Sequence, residues 1–236
     1  MNERPISHVP RLGVAFLVLS LVAQVAWQRH LPAAQSRAED LQKPPSLASL
    51  RLASLGEPIA MAKALSLYLQ SFESQPGVYV PSKKLDYDRV RGWLALSLEL
   101  DPKGQYPLFA ASKLYAELGD EARQRLMLNF IRQQFDLDPD RRWPWLIHAA
   151  VIAKHRLHDL PLAREYAQAV RLRAVGPDVP PWVRQMEVFI LEDMNELESA
   201  KVLLGGLLRG GQFKDVKEIE FMEKRLKAIE DRTRSK

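Results

Sequence analysis

Hydrophobic and polar residues follow two different rhythms along this chain. From Leu12 to Gln28 no residue is charged and most are apolar, with Arg11 and Arg29 at the edges. Seventeen residues of helix reach about 26 Å, close to the apolar thickness of a bilayer. Trp27 stands where an interfacial aromatic belongs. Beyond residue 46 the apolar positions recur at intervals of three and four, the signature of helices buried along one face. The spacing predicts helices over 47–55, 58–73, 86–100, 106–118, 120–136, 144–157, 160–174, 181–194, 196–209 and 214–231, and no strand. Pro58, Pro144 and Pro181 are expected in first turns, where the missing amide would have had no partner. Asp86 is an expected helix cap, and Asp101-Pro102 and Asp138-Pro139 stop the helices before them, because a residue preceding proline resists the helical region. The loop 73–86 is the one long connection.

A longer period overlies this one. Pro107, Pro144 and Pro181 are spaced by 37 residues, and each is followed by a bulky apolar residue: Leu108, Trp145, Trp182. Pro102 and Pro139 repeat the interval. A fixed period of this size marks an architecture in which each helix pair hides its apolar face only against its neighbours. Within the units, Leu108, Ser112 and Tyr115 correspond to Trp145, Ala149 and Ile152, and then to Trp182, Met186 and Phe189. Ala163 and Ala167 supply small residues on the following helix, echoed one period later by Ala200 and Leu204. Over residues 47–210 this pattern resembles the tetratricopeptide-repeat family in a divergent form. The resemblance implies an all-α fold, a right-handed solenoid of antiparallel helix pairs with Leu108, Trp145 and Trp182 as buried wedges. It also implies a concave face, built from the first helix of each pair, that receives a peptide or helix of a protein partner. By that resemblance Phe109, Lys113, Glu117, Leu146, Lys154, Val183 and Glu187 line the face, three of them apolar and the cations interrupted by Glu117 and Glu187.

The organisation that follows is a tail over 1–11, a transmembrane anchor over 12–28, a linker over 29–46, the repeat domain over 47–210, and a capping helix and tail over 211–236. The linker is rich in proline, small residues and mixed charge, so no core is expected there. In the last segment Val216, Ile219, Met222, Leu226 and Ile229 form one narrow apolar stripe, suited to covering the final face of an array. A cleaved signal peptide is the rival to the anchor, but cleavage after Ala26 or Ala23 would put Gln24 or Leu21 where a small residue is wanted. The expected location is a single-pass cell-membrane protein, with the repeat domain on the extracytoplasmic side if the source is bacterial. Arg4 and Arg11 on one side balance Arg29, Arg37 and Lys43 on the other, so charge does not decide the orientation.

Composition narrows the chemistry. Thirty-four basic and 29 acidic residues leave a net charge of +5, but the two signs are interleaved, which argues against a nucleic-acid partner. The absence of cysteine excludes disulfides, iron–sulfur clusters and thiol nucleophiles. His155 and His158 share a helical face with no carboxylate at zincin spacing, and a cationic residue suits a helix C-terminus, so neither is assigned to a metal. Gly205, Gly206, Gly210 and Gly211 lack the Lys-Ser/Thr of a phosphate loop. No nucleophile, base and orienting group come together in the sequence, and no catalytic, cofactor or metal residue is assigned. The expectation is a membrane-anchored scaffold that binds a protein partner, with lipid contacted through residues 12–28. Two alternatives stay open: a membrane-bound enzyme using His148 or His155 in a superhelix cleft, and a self-associating membrane protein joined through Ser20 and Gln24 or the C-terminal stripe.

Overall fold

The computed structural model describes residues 11–30, 39–72, 74–75, 78–211 and 215–234. Its helices are α1 Arg11–His30, α2 Leu47–Ala53, α3 Pro58–Ser71, α4 Tyr87–Leu100, α5 Tyr106–Phe109, α6 Ala116–Leu118, α7 Glu121–Leu137, α8 Pro139–His155, α9 Leu160–Arg173, α10 Met186–Asp193, α11 Leu197–Arg209 and α12 Val216–Arg234. A π-helical turn, Ala110–Tyr115, joins α5 to α6, and a 3-10 turn, Pro181–Gln185, leads into α10. The protein is thus all-helical apart from two-residue strands, Ser74–Gln75 and Val78–Tyr79, in the long loop. One compact unit contains α1 and another contains α2 to α12. α1 is long and apolar enough to cross a membrane, and its side chains from Leu12 to Arg29 are exposed.

Short polar side chains start the helices by accepting amides that have no partner within the first turn. Ser46 does so for α2, Asp86 for α4, Asp120 for α7 and Asp159 for α9. α8 departs from the sequence expectation: it begins at Pro139, which leaves Pro144 inside the helix instead of in its first turn. Arg142 accounts for the extra turn. This side chain is 4% exposed and donates to the Gln134 carbonyl at 2.7 Å, Gln134 Oε1 at 3.0 Å and the Pro102 carbonyl at 3.1 Å. Asp138 fastens the same turn by accepting from the Arg142 amide on its carbonyl and from Arg141 Nε on its carboxylate. These bonds offset the amide that proline withholds from the ladder.

The wedge positions also differ from expectation. Leu108 is fully buried, but Trp182 is 45% exposed and Trp145 is only partly covered. Leu146 and Val183, one residue further on, are the fully buried side chains. The π turn supplies the reason. It inserts a residue relative to a regular turn, so residues before it present a different side of the helix from those a fixed 37-residue interval would match. From Ser112, within the turn, onward the interval holds: Ser112 and Ala149, Tyr115 and Ile152, Ala116 and Ala153 are all buried.

Packing runs between neighbours in the chain. α3 lies on α4, α4 on α7, α7 on α8, α8 on α9, α9 on α10, α10 on α11 and α11 on α12. Side-chain bonds between helices repeat this short reach. Arg125 of α7 bonds Asp159 just before α9 at 2.7 Å, and Arg164 of α9 bonds Glu196 just before α11 at 3.1 Å. On the last pair Leu197, Ala200, Leu204 and Leu207 of α11 enclose Met222 and Ile229 of α12, with Ile219 and Leu226 at the margin. Val216, the first residue of the expected stripe, is 67% exposed and stays outside this cluster.

The C-terminal part of the expected linker belongs to the core. Leu41 is 1% exposed, and its carbonyl and that of Gln42 accept from Arg89 Nη1 and Trp93 Nε1 of α4. Gly92 permits this approach, since a Cβ there would meet Pro44 Cγ at 2.7 Å. Residues 31–38, the middle of that linker, lie outside the described residues.

Tyr166 is among the largest fully buried side chains, and its hydroxyl has no hydrogen-bond partner among the described residues. Burial pushes its phenol above the usual tyrosine range. An unpaired buried hydroxyl is a cost, so Tyr166→Phe is expected to leave stability unchanged or raise it by about 1 kcal/mol. A denaturant midpoint measured for both forms checks this.

Candidate interaction surface

The helical segment from Tyr106 to Leu118, α8 and the 3-10 turn before α10 bring rings to the surface. Phe109, 39% exposed, stands edge-on to Trp145 with ring centres 5.9 Å apart, and Tyr106 lies 6.1 Å from Phe109. Trp145 is held by its indole N–H, which donates to Gln105 Oε1 at 2.7 Å. One unit further, Trp143 and Trp182 meet edge-on at 5.7 Å. Edge-to-face pairs contribute beyond the area they cover, so the rings are held in place even where they remain wet.

Polar groups lie on the same helices, one to two turns on. His148 Nε2 is 3.3 Å from Glu117 Oε1, and Arg156 donates to the Glu117 carbonyl at 3.2 Å. Lys154 of α8 pairs with Asp193 of α10. Lys113 is exposed and forms no hydrogen bond or ion pair with a described residue. Burial, with the Lys113 charge second, holds the His148 imidazole below its usual range, against the opposing pull of Glu117. The unfolded chain therefore takes up this proton before the folded one as pH falls. Stability from this residue is fully present above the ordinary imidazole pKa and is lost as pH falls from there through the lowered value. Lys113→Met removes one of the lowering influences, so the His148 titration is expected to move up and the acid loss of stability to shrink. NMR titration of the imidazole, with unfolding measured at pH 5 and 8, checks both.

Of the residues placed on the face by sequence, Phe109 and Lys113 are exposed and Glu117 and Lys154 are partly so. Leu146 and Val183 are fully buried and offer no surface to a partner. Glu187 is 2% exposed, with Oε2 2.7 Å from Arg171 Nε and Oε1 3.7 Å from Arg164 Nε. It floors an open cleft of about 490 Å³ between α9, α10 and α11, whose walls include Gln168, Val202 and Leu203. Glu196 pairs with Arg164 as well, so charge in the cleft is balanced internally.

The surface gains members that a wedge reading hides in the core or passes over: Gln105, Trp143, Trp145, His148 and Trp182. For Trp143 and Trp145 the signal in the sequence is their spacing around Pro144, since residues two apart on a helix do not share a face and one buried stripe cannot hide both. His155 and His158 are exposed at the end of α8, where His158 adopts the left-handed region at φ 52. Asn195 does the same after α10, again at the 37-residue interval. Among the described residues no three histidine, aspartate or glutamate side chains gather as metal ligands would. No protein-family model, curated protein or solved structure matches the chain.

Proposed function

We propose that this chain is a single-pass membrane protein whose helical domain is a divergent tetratricopeptide-like array that binds a protein partner. The observation that carries the reading is the aromatic row, Phe109 on Trp145 and Trp143 on Trp182, partly exposed on successive helices beside an exposed Lys113. Large aromatic side chains kept rigid at a surface are the residue types that dominate binding energy in protein interfaces. Packing of each helix on its chain neighbours, and the recurrence of Arg125–Asp159 as Arg164–Glu196, support a stacked array. The partner that suits the row is a peptide or helix offering an apolar side chain to the rings and an acidic group to Lys113. α1 serves as the anchor, with the array outside the cytoplasm.

Photo-crosslinking in native membranes tests the reading. A crosslinkable residue at Leu114, 38% exposed beside the row, is expected to capture one protein from cells carrying the wild-type face. Trp145→Ala or Lys113→Glu should reduce that capture about tenfold or more, in line with loss of an interface anchor. Unchanged capture by both variants would move the partner to another face. A reporter fused after residue 236 reads the orientation separately.

A further inference from the structure

The two ends of the helical domain are finished differently. α12, at the C-terminal end, covers α11 and turns to water a surface mostly of lysine, arginine and glutamate, with Val216 and Phe221 as its exposed large apolar residues. α2 and α3, at the other end, pack on each other and on α4. There, beside Arg51, Glu57 and Lys63, four large apolar side chains face outward: Leu52 is 80% exposed, Leu55 92%, Ile59 52% and Leu67 63%. Lys63 is the one charged residue of α3. A terminal helix normally shows water a polar face, so this end is finished for a different medium.

We infer that the α2–α3 turn is a second membrane-contact surface, which dips Leu52, Leu55 and Ile59 into the bilayer interface. Leu55 is the most telling of them. It holds the left-handed region at φ 51, which costs a branched residue about 1 kcal/mol or more, and places nearly all of its side chain in solvent. The Leu55 amide closes the end of α2 on the Leu52 carbonyl at 3.2 Å, which accounts for the backbone; the exposed leucine side chain at that position is what a water-facing turn would not select. Three aliphatic side chains on one protruding turn, without a groove, fit a fluid apolar phase that needs no matching shape. On the two helices and the turn between them, 47–71, the charges are Arg51 and Lys63 against Glu57, a small basic excess that suits anionic headgroups. The patch is on the order of a few hundred Å², short of the roughly 800 Å² per partner that a stable protein interface buries. Chain length supplies the last argument. Only residues 31–38 separate the end of α1 from Glu39, and they reach at most about 30 Å. The inference rests on α1 being the membrane anchor for this last point.

The chain has no cysteine, so single cysteines can be introduced into the full-length protein and labelled with an environment-sensitive fluorophore. The probe membrane is a vesicle of phosphatidylcholine and phosphatidylglycerol doped with headgroup-proximal nitroxide lipid. Labels at Leu55→Cys and Leu52→Cys are expected to shift to the blue and to be quenched at least threefold more than a label at Val202→Cys, which is exposed on α11. Equal quenching at the three sites would overturn the inference. A blue-shifted label at Leu55 that lipid nitroxide does not quench would also overturn it, because a protein, such as a second copy of this chain, would then cover the turn. A label at Ser20→Cys in α1 reads the anchor independently. Quenching at Ser20 with none at Leu55 sinks the second surface and keeps the anchor; quenching at Leu55 alone does the reverse.

Discussion

Replacing Glu187 by alanine is expected to destabilise the helical domain by about 3–5 kcal/mol, because removing one partner of a buried pair strands the other. The carboxylate is 2% exposed and joins α10 to two arginines of α9, with Arg171 at 2.7 Å and Arg164 at 3.7 Å. Side-chain exposure of 20% for Arg171 and 33% for Arg164 leaves Arg171 the less able to turn to water once the carboxylate is gone. The alternative partner of Arg164, Glu196, remains in place, so Arg171 carries most of the loss. Glu187→Gln keeps the shape and one acceptor and should fall between alanine and wild type. A double change, Glu187→Leu with Arg171→Leu, should recover part of the stability, since it removes the desolvation of both charges at once. Unfolding in denaturant and detergent, followed by two probes to check that the transition is two-state, measures the series. A loss below about 1 kcal/mol for Glu187→Ala would show that the pair does not tie the two helices.

The second large effect separates two neighbours. Leu146→Ala is expected to cost about 2–5 kcal/mol, the range for emptying a fully buried aliphatic site. Trp145→Ala, although it deletes a far larger side chain, is expected to cost only about 1–2 kcal/mol, from the bond to Gln105 and the edge contact with Phe109. Partner capture should respond in the opposite order, with the tryptophan mattering and the leucine acting only through folding. If instead Trp145→Ala unfolds the domain and Leu146→Ala does not, the indole is the wedge after all and the surface row loses its centre.

These two neighbours also show how far the sequence could be read. The rhythm of three and four located the helices closely. Periodicity averages over many residues, and the caps Asp86, Asp120 and Asp159 add local stops that need no knowledge of the rest of the molecule. The 37-residue interval likewise pointed to equivalent units, with Tyr115 and Ile152 buried alike. What a fixed interval cannot carry is a change of helical phase. The π turn at Ala110–Tyr115 shifts the facing of Leu108 relative to the later units, so that Leu146 and not Trp145 matches it in the core, and the early start of α8 moves Pro144 from the first turn to the interior. Both features carry bonds made across the fold, Arg142 to the Pro102 carbonyl and the Tyr87 hydroxyl to the Tyr115 carbonyl, and such partners are not visible from local spacing. The docking of Leu41 was hidden for the same reason. A proline-rich stretch looks like a spacer until Arg89 and Trp93 are seen to hold its carbonyls.

The short reach of the inter-helix bonds has a bearing on how the protein is made. Arg171 and Glu187 are 16 residues apart and Trp93 and Gln42 are 51 apart, and the inter-helix bonds among the described residues close within about one helix pair of where they began. Loops of that size close quickly and at little entropic cost. A ribosome adding residues one at a time thus releases each hairpin with its partners already synthesised, and the growing domain can settle from its N-terminal end while later helices are still being translated.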